Sequence, residues 1–155
     1  PIKNRNRRNC SHHFIPHSKM KNTDLTQLNA SSKNTMMETL GIEYTQVGED
    51  FICGKMPVDN RTHQPMGIMH GGASAALIET LGSIGSHLLI DSETEFSSGL
   101  DLNINHIRAV RSGFVHGKAT VVHKGKTTHV WQVDITNEEN KLVSTGRLTV
   151  FVGKK

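Results

Sequence analysis

A loop that runs into a helix is predicted for residues 63–83, whose sequence is HQPMGIMHGGASAALIETLGS. Pro65 and Gly67 keep the first part irregular, whereas the Ala- and Leu-rich part that follows favours helix. Gly71 and Gly72 fall in the first turn, where backbone N–H groups have no partner inside the helix and carry the positive end of its dipole. This helix start is therefore suited to hold negative charge, including the charge that develops on a carbonyl oxygen under attack.

Glu79 lies in the least polar part of the same helix and is a candidate base or nucleophile. Most glutamates on helices are solvated, so the neighbours of Glu79 decide between the two interpretations. The residues three and four positions away are all small, and none is a Lys or Arg that would form a surface ion pair: Ala75, Ala76, Gly82 and Ser83. A helix face of this kind suits close packing better than contact with water, which favours a functional carboxylate.

The His-Gly-Gly at residues 70–72, with Gln64 before it and Glu79 after it, resembles the acyl-CoA thioesterases of the hotdog fold. The resemblance is closest to the 4-hydroxybenzoyl-CoA and phenylacetyl-CoA thioesterase type. Within that type it is closest to the menaquinone-pathway 1,4-dihydroxy-2-naphthoyl-CoA thioesterases and their proofreading paralogues of siderophore synthesis. Three further segments between residues 24 and 152 carry the same resemblance: Leu40-Gly41-Ile42, Met56-Pro57-Val58-Asp59 and Asn105-His106-Ile107-Arg108.

The resemblance implies catalytic roles for five residues. Glu79 would attack the thioester carbonyl or activate water, and the sequence does not separate these two routes. The Gly71 N–H would donate to the oxyanion, and Gln64 would hold the thioester or the water. His70 would position the loop and hydrogen-bond near the carbonyl, while Ser83 would orient the carboxylate or contact the acyl group.

Substrate contacts are expected from Thr80 and from several basic residues. Thr80 is the weaker alternative for contact with the carboxylate or the acyl group. His106 and Arg108 resemble the CoA-contacting region of the family, and His123 and Lys126 are candidates for the CoA phosphates. Basic residues at strand ends are also often only solvated, so both interpretations of these four stay open. No cofactor is expected, because CoA is part of the substrate.

The spacing of Glu79 and Gly71 predicts a site shared between subunits. The two residues are about 12 Å apart along one helix at 1.5 Å per residue, too far to act on the same carbonyl without strong bending. In the family, the glutamate comes from one subunit and the residues that correspond to Gln64, His70 and Gly71 come from the other. We therefore expect a homo-oligomer, and the resemblance implies a dimer of dimers.

The positive charge of the chain is concentrated at its start. Residues 1–19 contain five basic residues and no acidic one, which gives this segment a charge of +5. Because the whole chain has a net charge of +4, the remainder carries −1. We expect this segment to be a disordered or non-native basic leader, outside a single domain of residues 20–155. A nucleic-acid-binding or membrane-binding tail is the alternative that this interpretation sets aside.

Other composition features narrow the function further. No apolar run approaches about 18 residues, which argues against a transmembrane helix. The ten histidines show no metal-ligand spacing, so no metal is expected. Cys10 and Cys53 lie far apart and indicate a reduced compartment, and we expect the cytoplasm.

Two short helices are expected before the first strand. Residues 24–30 form the first, with Thr23 or Asp24 as its cap. Thr35 and Glu38 have the spacing of a capping box for the second, and Gly41 ends it.

The strands predict an antiparallel meander. They are expected at residues 42–47, 50–57, 96–108, 114–122, 128–136 and 142–152. In the third, Leu100, Leu102, Ile104 and His106 are expected to share one face. One face of such a sheet needs a cover, and the only long helix is the one that ends near residues 87–90. The pattern predicts an α+β fold, a curved antiparallel sheet wrapped around one central helix, as the resemblance to the hotdog fold implies.

The predicted function is hydrolysis of an acyl-CoA thioester, with an aromatic acyl group favoured. Hydrolysis of a thioester on an acyl carrier protein is one alternative, and a non-catalytic acyl-CoA-binding module on the same fold is another. A dehydratase is a third, but the Asp/His pair of the hotdog dehydratases has no counterpart here. No nucleic acid or membrane partner is expected.

Overall fold

The computed structural model describes residue 20 and residues 23–155, so the leader predicted at residues 1–19 lies outside the described residues. Nine elements follow one another along the chain: α1 (Leu25–Ala30), α2 (Met36–Leu40), β1 (Glu43–Val47), β2 (Phe51–Pro57), α3 (Gly71–Leu89), β3 (Glu95–His106), β4 (Phe114–Lys124), β5 (Thr128–Asn137) and β6 (Leu142–Lys154). The strands form one sheet in the order β1-β2-β4-β5-β6-β3, antiparallel throughout. The predicted α+β architecture is confirmed.

The long helix α3 packs one side against the sheet. Leu77, Ile78 and Leu81 are fully buried there, as is Trp131 of β5. The Trp131 indole N–H donates to Ser86 Oγ at 2.8 Å, so the one polar atom of this side chain is satisfied inside the core. No helix within residues 23–155 combines the length and apolar character that a bilayer crossing requires.

The opposite side of α3 is only partly covered by its own chain. We call this side the outward face, defined by five residues of small size or functional interest: Gly72, Ala75, Ala76, Glu79 and Ser83. Gly72 is exposed, and the other four are half-buried. A stripe of small residues leaves room for a second surface to approach the helix closely.

Strand β3 lies at the edge of the sheet, paired only with β6 within the described residues. The predicted alternation is wrong at Leu100, which is 63% exposed, whereas Leu102 and Ile104 are half-buried. The cause is a shift in the pairing with β6 between Gly99 and Asp101. An extra residue in a strand interrupts the alternation of side chains between the two faces of the sheet. As a result, Gly99 and Leu102 lie on the same face of the sheet, the one that packs against α3.

The starts of the two short helices differ from each other. Asp24 caps α1 as predicted, because its side chain accepts the Thr26 N–H at 2.8 Å. The capping box predicted for α2 is wrong: the Thr35 hydroxyl donates to the Ser32 carbonyl at 2.5 Å. Glu38 instead accepts the backbone N–H of Asn34 at 2.7 Å.

The preceding turn explains that outcome. Asn34 has φ 60°, a left-handed conformation that asparagine tolerates. This conformation turns the chain tightly before α2. The Ser32 carbonyl and the Asn34 N–H therefore lie within reach of the Thr35 and Glu38 side chains.

Candidate active site

A cavity of about 540 Å³ lies at the N-terminal end of α3. It brings together five of the residues singled out in the sequence: Gln64, His70, Gly71, His106 and Arg108. Two buried serines that the sequence did not single out, Ser74 and Ser144, complete its polar lining. None of the lining residues is an Asp or Glu.

His70 is the N-cap of α3. Its Nδ1 accepts the Gly72 N–H at 2.8 Å, so a neutral His70 ring carries its proton on Nε2. The backbone of the loop is held on both sides of this residue, because the His70 N–H donates to the Thr62 carbonyl at 2.8 Å and the Met69 N–H donates to the Val110 carbonyl at 2.8 Å. The cap is therefore fixed by backbone contacts to two separate segments.

The Gly71 N–H makes no hydrogen bond within the described part of the chain. It is the first residue of α3, where an N–H has no partner inside the helix. His106 lies directly against Gly71, since a β-carbon at this position would be 2.7 Å from His106 Nε2. Only glycine lets the imidazole approach the helix start this closely.

Gln64 lies in the loop before α3 and is half-buried. Its side-chain oxygen accepts the Met66 N–H, and its backbone N–H donates to the Ile68 carbonyl at 2.9 Å. Among the described residues its amide nitrogen has no recorded partner, and the residue lines the cavity. This side chain can therefore offer N–H donors to a ligand.

Glu79 lies apart from this cavity, on the outward face of α3. Ser83 Oγ donates to Glu79 Oε1 at 2.8 Å, so the predicted contact between these two residues is present. The carboxylate covers Gly99 of β3, and a β-carbon at position 99 would collide with Oε1. A single chain thus presents the carboxylate and the helix start as two separate groups of residues.

The remaining predicted substrate contacts are not brought to the cavity within one chain. Thr80 is buried on α3 and is not among the cavity residues. Lys126 lines another cavity, of about 300 Å³, beside Leu89 at the C-terminal end of α3. His123 lies at the end of β4, beside Gly125 of the β4–β5 turn. Their role as CoA contacts stays a prediction.

The two serines of the cavity were missed because the sequence does not show which strands pair. Ser144 stands opposite His106 in the β3–β6 register, a relation that the topology creates. Ser74 offered one signal, a hydroxyl on the apolar side of the first turns of a helix. Among the residues that the structure describes, no group of three or more His, Cys, Asp or Glu side chains is placed to hold a metal ion.

Comparison with known proteins identifies the family. Residues 66–144 match the model of the thioesterase superfamily. The proofreading thioesterase EntH of Cronobacter turicensis is 44% identical over 128 residues, 83% of this chain and 93% of that protein.

Two solved structures of thioesterases are similar to this chain and support the same family assignment. A mutant of thioesterase PA1618 from Pseudomonas aeruginosa has a TM-score of 0.87 at 42% identity, covering 89% of this chain and all of that one. Thioesterase HI1161 from Haemophilus influenzae has a TM-score of 0.84 at 46% identity, covering 88% of this chain and 94% of that one. The chain belongs to the thioesterase superfamily, has its hotdog fold and is a thioester hydrolase.

Proposed function

We propose that this thioester hydrolase cleaves an acyl-CoA to the free acid and CoA, favours an aromatic acyl group, and acts in a site shared by two copies of the chain. The separation of the polar residues into two groups carries the proposal. The cavity at the start of α3 has donors, with the free N–H of Gly71 first among them, but no carboxylate. The Glu79–Ser83 pair supplies a carboxylate and lies outside that cavity.

The edge strand β3 supports a pairing that would join the two groups. It is 12 residues long, and an open edge of this length is a template for another strand. Antiparallel pairing of β3 with its copy about a two-fold axis would bring the Gly99 half of one strand toward the His106 half of the other. Glu79 covers Gly99, and Gly71 lies against His106, so the carboxylate of one chain would approach the helix start of its partner.

The proposed reaction needs a nucleophile on one side of the carbonyl and donors on the other. Glu79 either attacks the carbonyl carbon or removes a proton from the water that does. As the new C–O bond forms, the π electrons move to the carbonyl oxygen, where Gly71 N–H and His70 Nε2–H stabilise the charge. Collapse then breaks the C–S bond, and sulfur leaves with the bonding electrons and takes a proton. If Glu79 attacks directly, water hydrolyses the mixed anhydride in a second step.

The other predicted residues have supporting roles in this proposal. Ser83 holds the Glu79 carboxylate through its hydroxyl, and Gln64 holds the water or the thioester through its amide N–H groups. Arg108 is exposed at the cavity and offers a guanidinium, a group that binds phosphate well, to CoA. Because His123 and Lys126 lie at the far end of α3, they would contact CoA only from a different copy of the chain.

A second cavity supports an apolar acyl group. It has a volume of about 290 Å³ and shares His70 with the first cavity. Met36, Leu40, Ala73 and Ala76 form the apolar part of its wall, and Arg61, Thr62 and His63 form the polar part together with His70. A thioester whose carbonyl lies at His70 would place CoA in the first cavity, where Arg108 lies, and its acyl group beside Ala76.

The principal alternative is a thioester carried by an acyl carrier protein. The relative from Cronobacter turicensis is a proofreading thioesterase, and the resemblance connects such proofreading with carrier-bound acyl groups. The chemistry at the carbonyl would be the same, and only the group beyond the pantetheine arm would differ. A dimer of dimers and a cytoplasmic location belong to the same proposal.

Substitution of Glu79→Gln tests the catalytic assignment. We expect kcat to fall by at least about 10²-fold, the low end for a positioned acid–base group, with the melting temperature unchanged. Glu93→Gln, in the exposed turn after α3, is the matched control and should retain full activity. Near-normal turnover by the purified Glu79→Gln protein would refute the assignment.

A substrate panel tests the acyl and carrier preferences. The panel consists of benzoyl, naphthoyl, phenylacetyl and long-chain acyl-CoA, each compared with the same acyl group on a carrier protein. We expect the highest kcat/KM for an aromatic acyl-CoA. A higher value for the carrier thioesters would favour the alternative, and a higher value for the long-chain substrate would refute the aromatic preference.

A further inference from the structure

A buried pair of hydroxyl groups lies behind His106 and has no role in the reaction described so far. Ser74 of α3 and Ser144 of β6 are each 1% exposed. Their Oγ atoms are 3.3 Å apart, and Ser144 Oγ is 3.4 Å from His106 Nδ1. The three side chains form a chain of polar atoms from the core to the cavity wall.

The Ser74 and Ser144 hydroxyls can be hydrogen-bonded in either direction, because a hydroxyl hydrogen rotates, and the two directions differ in how many protons find an acceptor. Each hydroxyl has one proton to donate, and a buried donor without an acceptor is costly. If Ser74 donates to Ser144 and Ser144 donates to His106 Nδ1, both protons are used. In the opposite direction Ser74 would be left without an acceptor among the recorded side-chain bonds of the described residues.

The direction in which Ser74 donates to Ser144 and Ser144 to His106 would select one tautomer of His106. With Nδ1 accepting a hydrogen bond, a neutral ring carries its proton on Nε2. Nε2 is the atom that lies against Gly71, 2.7 Å from the position of a β-carbon there. His106 and Gly71, whose N–H makes no hydrogen bond within the described residues, are therefore neighbours that line the same cavity.

We propose that His106 is a catalytic residue whose Nε2–H donates, beside the Gly71 N–H, to the carbonyl oxygen of the thioester, and that Ser144 and Ser74 are positioning residues that hold it in this tautomer. The proposal rests on the proposed hydrolysis. It differs from the expected role of His106 as a CoA contact, because a carbonyl donor acts on kcat, whereas a CoA contact acts on KM.

The tautomer is measured directly by ¹⁵N NMR of the full chain with ¹⁵N-labelled histidine, using His106→Asn to assign the His106 signals. We expect a pyridine-like shift for Nδ1 and a pyrrole-like shift for Nε2 at a pH where the ring is neutral. In Ser144→Ala the fixed tautomer should be lost and the two shifts should move toward the averaged values of exchanging tautomers. A pyrrole-like Nδ1 in the wild-type protein would overturn the proposal.

Kinetics of the same variants separate positioning from structural support. We expect Ser144→Ala to lower kcat about 3- to 10-fold, the equivalent of one hydrogen bond, with KM unchanged, and Ser144→Thr to restore activity because it keeps the hydroxyl. Ser32→Ala removes another buried serine hydroxyl, at a residue that does not line the cavity, and should change neither kcat nor KM. These controls distinguish a specific loss from general loosening of the core.

A double-mutant cycle completes the test. His106→Asn should lower kcat by about 10²-fold, as the loss of an oxyanion donor does, and Ser144→Ala should cause no further loss in that background. A full additional loss from Ser144→Ala, or an effect of His106→Asn on KM alone, would overturn the proposal. If the wild-type protein hydrolyses no thioester, the proposed function and the carbonyl-donor role fail together, whereas the NMR result still decides the tautomer.

Discussion

His129 is a buried histidine at the far end of the molecule from the cavity that holds His70. It is 1% exposed, and its Nδ1 has no hydrogen-bond partner among the described residues. Burial, together with the smaller effects of the nearby positive charges of Lys124 and His123, lowers the pKa of His129 from 6.5 to about 4, against an opposite effect of Glu95. The native protein therefore holds this ring neutral.

We expect His129 to make the protein less stable in mild acid. The unfolded chain binds the proton first as pH falls, because the native pKa is the lower one. The contribution of His129 to stability is complete above pH 6.5 and is lost progressively down to about pH 4. The loss amounts to on the order of 2–3 kcal/mol over that interval.

Urea unfolding at pH 7 and pH 4.5 measures this effect. The free energy of unfolding of the wild-type protein should fall more between the two values than that of His129→Gln. His87→Gln, at an exposed position of α3, should behave as the wild type does. An identical pH dependence for wild type and His129→Gln would contradict the expected role of the buried ring.

At the residue scale, the sequence predicted those site residues that lie close to one another along the chain. Gln64, His70 and Gly71 lie within one loop and helix start, so their common cavity follows from a short stretch of chain. The contact of Ser144 with His106 depends on strand register, and the position of Gly99 beneath Glu79 depends on a bulge. Neither is encoded in any local pattern, which is why these supporting residues emerged only from the structure.

At the scale of elements, α3 packs on the sheet through Gly85. A β-carbon at position 85 would lie 2.6 Å from the Trp131 ring. That ring is fully buried and is tied to Ser86 by its indole N–H. Because a ring cannot flex as an aliphatic side chain does, the helix has no easy way to accommodate an added methyl group.

We expect Gly85→Ala to destabilise the protein by about 1–3 kcal/mol, the usual cost of overpacking a core. The intrinsic helix preference of Ala over Gly, about 1 kcal/mol, acts in the opposite direction and would dominate at an exposed site. Gly82→Ala should cost less, because its β-carbon would meet the flexible end of Leu148. Thermal unfolding of both variants checks the order, and a Gly85→Ala protein more stable than wild type would contradict the packing described here.

The element boundaries were predictable where hydrophobic pattern and breakers agree. The central helix was expected to end near residues 87–90 and ends at Leu89, and the six strands were each expected close to their positions. The absence of a capping box at Thr35 and the exposure of Leu100 were not predictable. Both depend on the backbone conformation of single residues, which composition and periodicity do not show. The left-handed conformation of Asn34 and one inserted residue in β3 were sufficient to cause both.

At the scale of the whole molecule, the described chain leaves a strand edge open and a helix face only partly covered. The open edge belongs to β3, and the outward face of α3 carries Glu79. The fold was predictable from one long helix and a run of antiparallel strands, whereas the separation of Glu79 from the donor cavity is a property of the complete architecture. We propose that a second copy joins the two groups of residues.

The shared site is tested most directly with mixed dimers of Glu79→Gln and Gln64→Ala chains. The two chains carry different tags, so that dimers containing one of each are isolated by sequential affinity purification. In a site made from two copies, one of the two sites of such a dimer has both damaged residues and the other has neither. We therefore expect about half of the wild-type kcat per dimer, well above either parent variant. Activity no higher than that of the parents, in dimers shown to contain both chains, would contradict the account.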